Sequence, residues 1–191
     1  MEMSKGDIQK SIQENVEVLK KTFNDAHIAI LIEVASLVVS TIKNNKKILL
    51  CGNGGSAADS QHIAAEFIGR FKKERQSIPA IALTTDTSIL TAVANDYSFD
   101  EIFARQIEGL GNEGDLLIGI STSGNSPNVL RAVNVAAGKG MKSIGFTGEN
   151  GGKLAKSVDI NFSVSSNNTP HIQAGHIIAL HTICEIAENA L

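Results

Sequence analysis

A histidine and a glutamate four residues apart give the first sign of chemistry in this chain. His62 and Glu66 follow a short apolar run, residues 47–51, and a glycine turn, residues 52–55, in the order strand, turn and helix. Side chains four apart on a helix share one face, so an imidazole and a carboxylate would lie together just beyond the turn. Both groups are suited to proton transfer. The pair indicates a reactive site, with a solvated surface pair as the alternative.

The glycine turn itself can admit a ligand. Glycines can adopt positive φ and let a bound molecule approach bare backbone, although a turn of this kind is often only a connector. Ser56, with Asp59 three residues later, fits a capping box at the start of the helix. The turn also approximates a dinucleotide fingerprint, which requires an acidic residue about 20 positions further on. The first acidic residue at a plausible strand end is Asp86, so a nicotinamide dehydrogenase is a weak alternative.

A second loop, residues 121–126, reads S-T-S-G-N-S and precedes Pro127. Its four hydroxyl groups and the free backbone N–H groups of a following helix can point at an anion, with the helix dipole behind them. The loop contains no lysine or arginine, unlike a Walker-type nucleotide site. It therefore predicts a site for a monophosphate held by neutral donors. A Ser/Gly-rich turn without a ligand is the alternative.

Three of the five histidines lie in one eleven-residue stretch, 171–181, of the last predicted helix. Gln173 and His181 are eight residues apart and share a broad face of that helix. We expect His171 and His176 to be capping or surface residues. His181 taken alone would suit a core histidine, but together with His62 and Glu66 it favours a shared site.

Strand and helix patterns alternate along the chain. Strands are predicted at residues 47–51, 78–83, 115–120, 142–147 and 159–164, and helices at 88–94, 99–110, 127–138 and 169–188, with a helical turn at 153–157. This alternation predicts an α/β protein with a five-stranded parallel sheet covered on both faces. Such sheets bind ligands at the carboxyl ends of their strands, where both loops lie.

Two further helices are predicted before the first strand, at residues 4–23 and 25–44. The first carries one apolar stripe, and in the second we expect Ile28, Leu31, Val34, Leu37, Val38 and Ile42 to be buried. A minimal parallel sheet does not need both helices. Their apolar stripes therefore either pack on the sheet or contact another subunit.

Whole-chain properties exclude several classes. The chain has 191 residues, a formal net charge of −3 and a pI near 5.9, which argue for one globular domain and against nucleic-acid or membrane partners. The N-terminus has no apolar leader region, and we expect no apolar run of transmembrane length. The chain is therefore expected to be cytoplasmic. Cys51 and Cys184 fit no zinc or disulfide spacing and are expected to be buried free thiols.

These motifs together resemble a known family. The segments C-G-N-G-G-S-A-A-D-S-Q-H-x-A-A-E, L-T-T-D-T-S, A-N-D, I-S-T-S-G-N-S and I-Q-x-x-H with a further His are similar to those of phosphoheptose isomerases, of the sugar isomerase (SIS) domain superfamily. The similarity covers essentially the whole chain. It implies a single SIS domain over residues 1–191, with a three-layer α/β/α fold and with the helical pair of residues 1–45 used in oligomerisation.

The resemblance also implies a function. Such proteins are homotetramers that convert sedoheptulose 7-phosphate to D-glycero-D-manno-heptose 7-phosphate through an enediol, for the heptose of the lipopolysaccharide core. By position it implies Glu66 and His181 as the acid/base pair, and one zinc per subunit bound by His62, Glu66, Gln173 and His181. The implied substrate-binding residues are Asn53, Gly54, Gly55, Glu66, Asn95, Asp96, Ser121, Thr122, Ser123, Ser126 and Gln173.

The chain departs from the family pattern beside Gln173. The family usually has Arg and Glu where this chain has His171 and Ala174. Gln173 and His181 are also about 12 Å apart along one helix, so both would have to extend fully to reach one ion. An adjacent subunit that supplied part of the site would relieve this strain. The sequence leaves open which of Glu66 and His181 removes the substrate proton.

Two other functions fit parts of the pattern. A replication-initiator-binding regulator of the same superfamily has a similar whole-chain pattern and is also a tetramer. A sugar-phosphate sensor would need residues 121–126 but neither Glu66 nor His181. Because a binding scaffold has no chemical need for that carboxylate and imidazole, their presence favours the isomerase.

Overall fold

Five parallel strands form the centre of the structure, a computed structural model that describes residues 4–191. The strands are β1 (Ile48–Gly52), β2 (Ala80–Ala82), β3 (Leu116–Ser121), β4 (Lys142–Gly148) and β5 (Ile160–Val164). They pair in the order β2-β1-β3-β4-β5, and every pairing is parallel. The predicted five-stranded parallel sheet is confirmed, although β2 is shorter than residues 78–83.

Helices cover both faces of this sheet. They are α1 (Lys5–Thr22), α2 (Asp25–Lys43), α3 (Gly55–Ile68), α4 (Thr87–Asp96), α5 (Ala104–Leu110), α6 (Pro127–Gly138) and α7 (Thr169–Asn189). Helices α2, α3 and α7 contribute to the core on one face, and α5 and α6 to the core on the other. The three-layer α/β/α fold with two N-terminal helices is therefore confirmed. The helix predicted at residues 99–110 is instead a 3₁₀ turn, Phe99–Glu101, followed by α5.

Side chains of the central strands alternate between the two cores. Ile48 and Leu50 face the α2, α3 and α7 side, whereas Leu49 and Cys51 face the α5 and α6 side. A strand buried on both faces reads as a continuous apolar run, as residues 47–51 do. Cys51 and Cys184 are both buried free thiols, as predicted, and burial raises the pKa of each to about 12.

The strand order determines where ligands can bind. The chain passes from β1 to β2 on one side of β1 and then to β3 on the other, so the direction of progression reverses between β1 and β3. In open α/β sheets, the crevice for a ligand lies outside the carboxyl ends of the strands at such a reversal. The glycine turn follows β1, and residues 121–126 end β3 and lead into α6. The fold therefore places both predicted loops beside this crevice.

The two N-terminal helices leave apolar side chains exposed. On α1, Ile8 and Ile12 are 57% and 60% exposed, and on α2, Ile28 and Ile32 are 44% and 59% exposed. The prediction that Ile28 is buried is therefore wrong, because the buried stripe of α2 consists of Leu31, Val34, Ala35, Val38 and Thr41. These four isoleucines are large apolar side chains that the single chain does not cover.

Helix α2 also corrects the expectation that no apolar run reaches transmembrane length. It has 19 residues with a mean hydropathy of 1.7, which satisfies the length and composition of a membrane span. The core helix of a globular protein can satisfy the same test. Here one side of α2 packs into the core against α7 and β5.

His176 is a core residue, which corrects the expectation that it is a capping or surface residue. It is fully buried, its Nε2 lies 3.0 Å from the carbonyl oxygen of Thr147, and its ring meets Phe146 edge to face. Burial lowers its pKa to about 4. The side chain shares the sheet-facing side of α7 with Ile172, Gly175 and Ala179. Its burial therefore follows from its position in the helix and not from its polarity.

His176 should make stability depend on pH. Its pKa is about 6.5 in the unfolded chain and about 4 in the folded chain, so the unfolded state takes up the proton first as pH falls. Above pH 6.5 His176 is neutral in both states and costs no stability. Between pH 6.5 and 4 the free energy of unfolding falls by about 1.4 kcal/mol for each unit by which the pH is lowered. We expect the free energy of unfolding to fall by about 2 kcal/mol between pH 7 and pH 5 from this residue alone.

Urea unfolding of the wild type and of His176→Gln, at one fixed protein concentration, measures this term. The glutamine can donate to the Thr147 carbonyl but does not titrate. Between pH 7 and pH 5 the free energy of unfolding of His176→Gln should therefore fall by about 2 kcal/mol less than that of the wild type. His171→Gln is the control, because it removes a half-buried histidine from the same helix. Equal pH dependence in the wild type and His176→Gln would contradict the assignment.

Candidate active site

Helix α3 begins at a glycine rather than at the predicted serine cap. Gly54 is the N-cap residue, with a φ of 56°, and α3 starts at Gly55. Ser56 is therefore buried inside the first turn, where its carbonyl oxygen accepts a hydrogen bond from Ser60. The predicted capping box is wrong, because the positive φ that only glycine adopts easily fixes the helix start before Ser56.

Three of the predicted chemical residues meet on α3 and α7. His62 Nε2 lies 2.8 Å from His181 Nε2 and 3.4 Å from Glu66 Oε1. One ligand atom from each of the three residues lies within 4.8 Å of the other two. The side chains of His62 and Glu66 are 48% and 21% exposed, so the cluster opens to the surface of the chain. These three residues meet within one chain and need no second subunit to do so.

Gln173 lies at the other end of the same two helices. A Cβ atom added to Gly55 would overlap the Gln173 amide, so only glycine allows this side chain to pack on the turn. From Gly55 to His62 along α3, and from Gln173 to His181 along α7, the rise is about 10 to 12 Å. The two helices therefore run in the same direction and in step. Gln173 marks the end near the glycine turn, and the His62, Glu66 and His181 cluster lies further along.

The loop of residues 121–126 has the predicted polar character. Ser121 Oγ and Ser126 Oγ are 2.8 Å apart, and Ser126 is the N-cap of α6 with Pro127 in the first turn. Thr122 and Ser123 line a cavity of about 260 Å³ together with Gly148, Asn150, Asn167, Thr169 and Ile172. None of these lining residues is charged. Because no lysine or arginine lines the cavity, the side-chain donors that this loop offers to an anion are its hydroxyl groups.

A second glycine turn supports this loop. Gly124 has a φ of 64°, and a Cβ atom on it would overlap the carbonyl group of Gly151. The Gly124 carbonyl oxygen accepts a hydrogen bond from the backbone of Leu154, and Thr122 accepts one from Gly148. Two consecutive glycines, Gly151 and Gly152, indicate only a turn when the sequence is considered alone. Their role as a support for residues 121–126 depends on the pairing of β3 with β4, which sequence spacing does not reveal.

An amide pair joins the two loops. Asn53 and Asn128 exchange two hydrogen bonds of 2.9 Å between their side-chain amides, and Asn128 Oδ1 also accepts from the backbone of Val129. Asn128 is buried and was not among the predicted site residues. The pair fixes the glycine turn relative to the start of α6. It also occupies part of the hydrogen-bonding capacity of Asn53, a predicted substrate-binding residue.

Asn95 and Asp96 form no side-chain hydrogen bond to any other predicted site residue among residues 4–191. They lie in the last turn of α4, both are exposed, and Asn95 Nδ2 donates to Asp96 Oδ1. Helix α4 has no fully buried residue, and Leu90, Val93 and Ala94 are its partly buried contacts with the core.

Asp59 is a candidate that sequence reasoning assigned only to capping. Its Oδ2 atom is buried and has no hydrogen-bond partner among the described residues. Burial raises the pKa of Asp59, and the nearby His62 opposes this effect. A half-buried carboxyl group with one buried oxygen that lacks a partner, one turn before His62, has the character of a functional-site residue.

Comparisons with known proteins agree with this geometry. The SIS domain family matches residues 11–148. The chain is 54% identical over 183 residues to a phosphoheptose isomerase from Aliarcobacter butzleri (strain RM4018), covering 96% of this chain and 93% of that protein. It superposes on a phosphoheptose isomerase from Neisseria gonorrhoeae with a TM-score of 0.91 and 40% identity, covering 96% of this chain and 98% of the other. A phosphoheptose isomerase from Francisella tularensis gives a TM-score of 0.91 and 39% identity, with coverages of 98% and 100%.

The chain belongs to the phosphoheptose isomerase family of SIS-domain proteins. The family resemblance drawn from the sequence motifs and the SIS-type fold are both confirmed. Membership in the phosphoheptose isomerase family gives the polar cluster on α3 and α7 a chemical context, because these proteins are named for an isomerisation of sugar phosphates.

The cluster has the composition of a metal site. Two imidazole nitrogens and one carboxylate oxygen, all within 4.8 Å of one another, match the ligand types that zinc prefers. Ligands of zinc lie about 2 Å from the ion, so small rotations of these side chains, one exposed and two half-buried, would bring all three to one centre. The donor set therefore fits a divalent transition metal.

Metal binding can be measured directly. We expect chelator-treated protein to bind about one Co²⁺ or Zn²⁺ per chain in equilibrium dialysis, because three donors converge on one position. His62→Gln and His181→Gln should each weaken binding by about ten-fold or more, since each removes a ligand. His27→Gln and His171→Gln are controls outside the cluster and should bind like the wild type. Equal affinity in all four variants would show that the metal binds elsewhere or not at all.

Proposed function

We propose that this chain is a phosphoheptose isomerase that converts sedoheptulose 7-phosphate to D-glycero-D-manno-heptose 7-phosphate. The observation that carries this proposal is the meeting of His62, Glu66 and His181 in a chain about 50% identical to phosphoheptose isomerases over nearly all its length. The product would supply heptose for the lipopolysaccharide core. The enzyme is a sugar-phosphate isomerase that interconverts an aldose and a ketose.

The reaction moves a proton between two adjacent carbons through an enediol. One group must remove a proton from the carbon beside the carbonyl, and another must protonate the carbonyl oxygen as negative charge develops there. Glu66 and His181 fill these two roles, because their functional atoms lie within 4.8 Å and can contact neighbouring atoms of one substrate. A proton then returns to the other carbon while the hydroxyl group on the first carbon gives up its proton to the second group of the pair, and the enediol becomes the aldose.

The distance between the two ends of the site suits a long substrate. The phosphate binds to the hydroxyl groups of Ser121, Thr122, Ser123 and Ser126, where the start of α6 favours negative charge. The cluster lies about 10 Å further along α3 from Gly55, a span comparable to an extended seven-carbon sugar phosphate. Asn53, Gly54, Gly55 and Gln173 lie near the glycine turn and contact the chain of hydroxyl groups between these ends.

The same cluster holds one zinc ion per subunit in this proposal. His62, Glu66 and His181 supply the ligands, and Gln173 would join them only by moving away from Gly55. A zinc ion held there would supply Lewis-acid chemistry toward oxygen atoms of the sugar. A carboxylate bound to a metal would be a weaker base than a free one, so either His181 or an unbound Glu66 would remove the proton.

The assembled enzyme is a homotetramer. The helical pair of residues 1–45 forms the subunit contact, since Ile8, Ile12, Ile28 and Ile32 are exposed there. Asn95 and Asp96 reach the substrate in this assembly, from a helix that the single chain leaves exposed. The apolar side of α2 contacts protein in this arrangement, and the enzyme works in the cytoplasm with no nucleic-acid or membrane partner.

The regulator that binds a replication initiator and the sugar-phosphate sensor remain the competing functions. The family matches do not favour either. Both are distinguished from an isomerase by one assay, in which the purified protein is incubated with sedoheptulose 7-phosphate and the aldose product is measured. Absence of the aldose from folded, metal-loaded protein would contradict the proposed function.

Replacement of the acid/base pair should abolish most turnover. Glu66→Gln and His181→Gln each remove a proton-transfer group, which lowers kcat by about 10²-fold or more. Glu185→Gln and His171→Gln are matched controls on α7 and should retain wild-type kcat. If either Glu66→Gln or His181→Gln, once shown to be folded, turns over at the wild-type rate, that residue has no role in proton transfer.

The exposed stripe on α1 should be needed for assembly. Ile8 and Ile12 are exposed and can be substituted without disturbing the core, whereas Leu19 of the same helix is half-buried. We expect Ile8→Lys combined with Ile12→Lys to lose association, because two charges would lie in an apolar contact. Gln9→Lys combined with Ser11→Lys adds the same charge to other sides of α1. Sedimentation of both doubly substituted proteins measures this, and a tetramer of the isoleucine variant would place the interface elsewhere.

A further inference from the structure

One buried carboxylate near the end of α7 organises the segment that follows α3. Glu188 is buried, and its two oxygens accept hydrogen bonds from the backbone N–H groups of Phe71, Lys72 and Lys73 at 3.0, 2.7 and 2.8 Å. Burial raises the pKa of Glu188, but the three backbone donors and Arg75 outweigh this effect and lower it. The charged carboxylate therefore holds three consecutive residues to α7.

Arg75 completes this arrangement from the other side. Its Nε lies 3.2 Å from Glu188 Oε1, and its side chain is only 10% exposed. Its guanidinium donates to the carbonyl oxygens of Glu66 at 2.7 Å and Phe67 at 2.9 Å, with a weaker bond to Gly69. These are carbonyl groups of the last turn of α3, which have no partner within the helix. Arg75 therefore caps the turn that carries Glu66.

The same segment also reaches the imidazole of His181. The Phe71 ring lies against the His181 ring, with 5.4 Å between their centroids. Phe71 is held there by the first of the three backbone bonds to Glu188. One ion pair thus contacts the backbone of Glu66 and, through Phe71, the ring of His181.

We propose that Glu188, Arg75 and Phe71 are positioning residues that hold Glu66 and His181 in register for proton transfer. This inference rests on the proposed function, because it assigns a role relative to that acid/base pair. Glu66 and His181 belong to different helices, and both side chains are partly exposed, so core packing brings the two helices together but does not by itself fix the two side chains. The clamp formed by Glu188 and Arg75 joins these helices at the turns beside the two residues.

The expected cost of loosening the clamp is catalytic as well as structural. Displacement of reacting groups by about 1 Å can lower a rate by about 10²-fold, even when the substituted residue is remote from the chemistry. Substrate binding through residues 121–126 should be unaffected, because that loop lies at the other end of α3. The clamp therefore predicts a fall in kcat with little change in KM.

Asp115 provides a matched control. Its buried carboxylate also accepts two backbone hydrogen bonds, from Lys47 and Asn112, and also pairs with a cation, Lys47. It lies just before β3, at the amino ends of the strands. Asp115→Asn and Glu188→Gln therefore remove the same kind of charge from the same kind of buried network, but the hydrogen bonds of Asp115 hold Lys47 and Asn112 rather than the segment after α3.

The test compares Glu188→Gln, Phe71→Leu, Asp115→Asn and the wild type, under conditions in which all are folded. We expect Glu188→Gln and Phe71→Leu to lower kcat by about ten-fold or more, with KM within about two-fold of the wild type. They should also weaken Co²⁺ binding by about ten-fold, since both cluster residues would be less well held. Asp115→Asn should lose stability and retain wild-type kcat and Co²⁺ affinity.

Phe71→Leu keeps the test decisive if Glu188→Gln does not fold, because Phe71 is only half-buried. Phe23→Leu, at a half-buried ring that stacks on Phe162, is its control. Wild-type kcat and wild-type Co²⁺ affinity in Phe71→Leu, or in folded Glu188→Gln, would overturn the positioning role. The wild type and Asp115→Asn report separately on the proposed isomerase activity.

Discussion

The parallel packing of α3 against α7 is the constraint on which the candidate site depends. Three contacts occur in the same order along both helices: Gly55 with Gln173, His62 with His181, and the segment after α3 with Glu188. The first requires a residue without a side chain, and the last requires a buried charge. A shift of either helix by one turn would move it by about 5 Å and separate His62 from His181. The chemistry of the cluster is therefore a property of two helices in register rather than of any single loop.

Much of the fold could be predicted because local pattern decides it. Apolar runs bounded by glycine and polar turns identify the strands, and their alternation with helical segments leads to a parallel sheet. The pairing of His62 with Glu66 was predictable for the same reason, since four-residue spacing on a helix is local geometry. The loops at the carboxyl ends of β1 and β3 followed from a general property of such sheets.

Features that depend on tertiary contacts were not predictable in this way. Helix α3 begins at Gly54 because the turn adopts a positive φ, and a serine cap was the reasonable choice from sequence alone. His176 was expected to be a capping or surface residue because it lies on a different side of α7 from Gln173 and His181, yet that side faces β4 and its Nε2 contacts a carbonyl oxygen there. Asn128 and Glu188 act on residues 75 and more than 110 positions away. Only the pairing of distant elements reveals what such polar residues contact.

The contact of Gly124 with Gly151 limits how the loops at the carboxyl ends of β3 and β4 can vary in length. Loops at the ligand-binding edge are where related proteins usually differ in length, because each loop can change without disturbing its neighbours. Here the backbone of residues 121–126 lies directly against that of residues 151–152, with no side chain to adjust between them. An insertion in one turn would displace the other. The two loops therefore have to change together, and a loop graft intended to transfer ligand specificity has to include both.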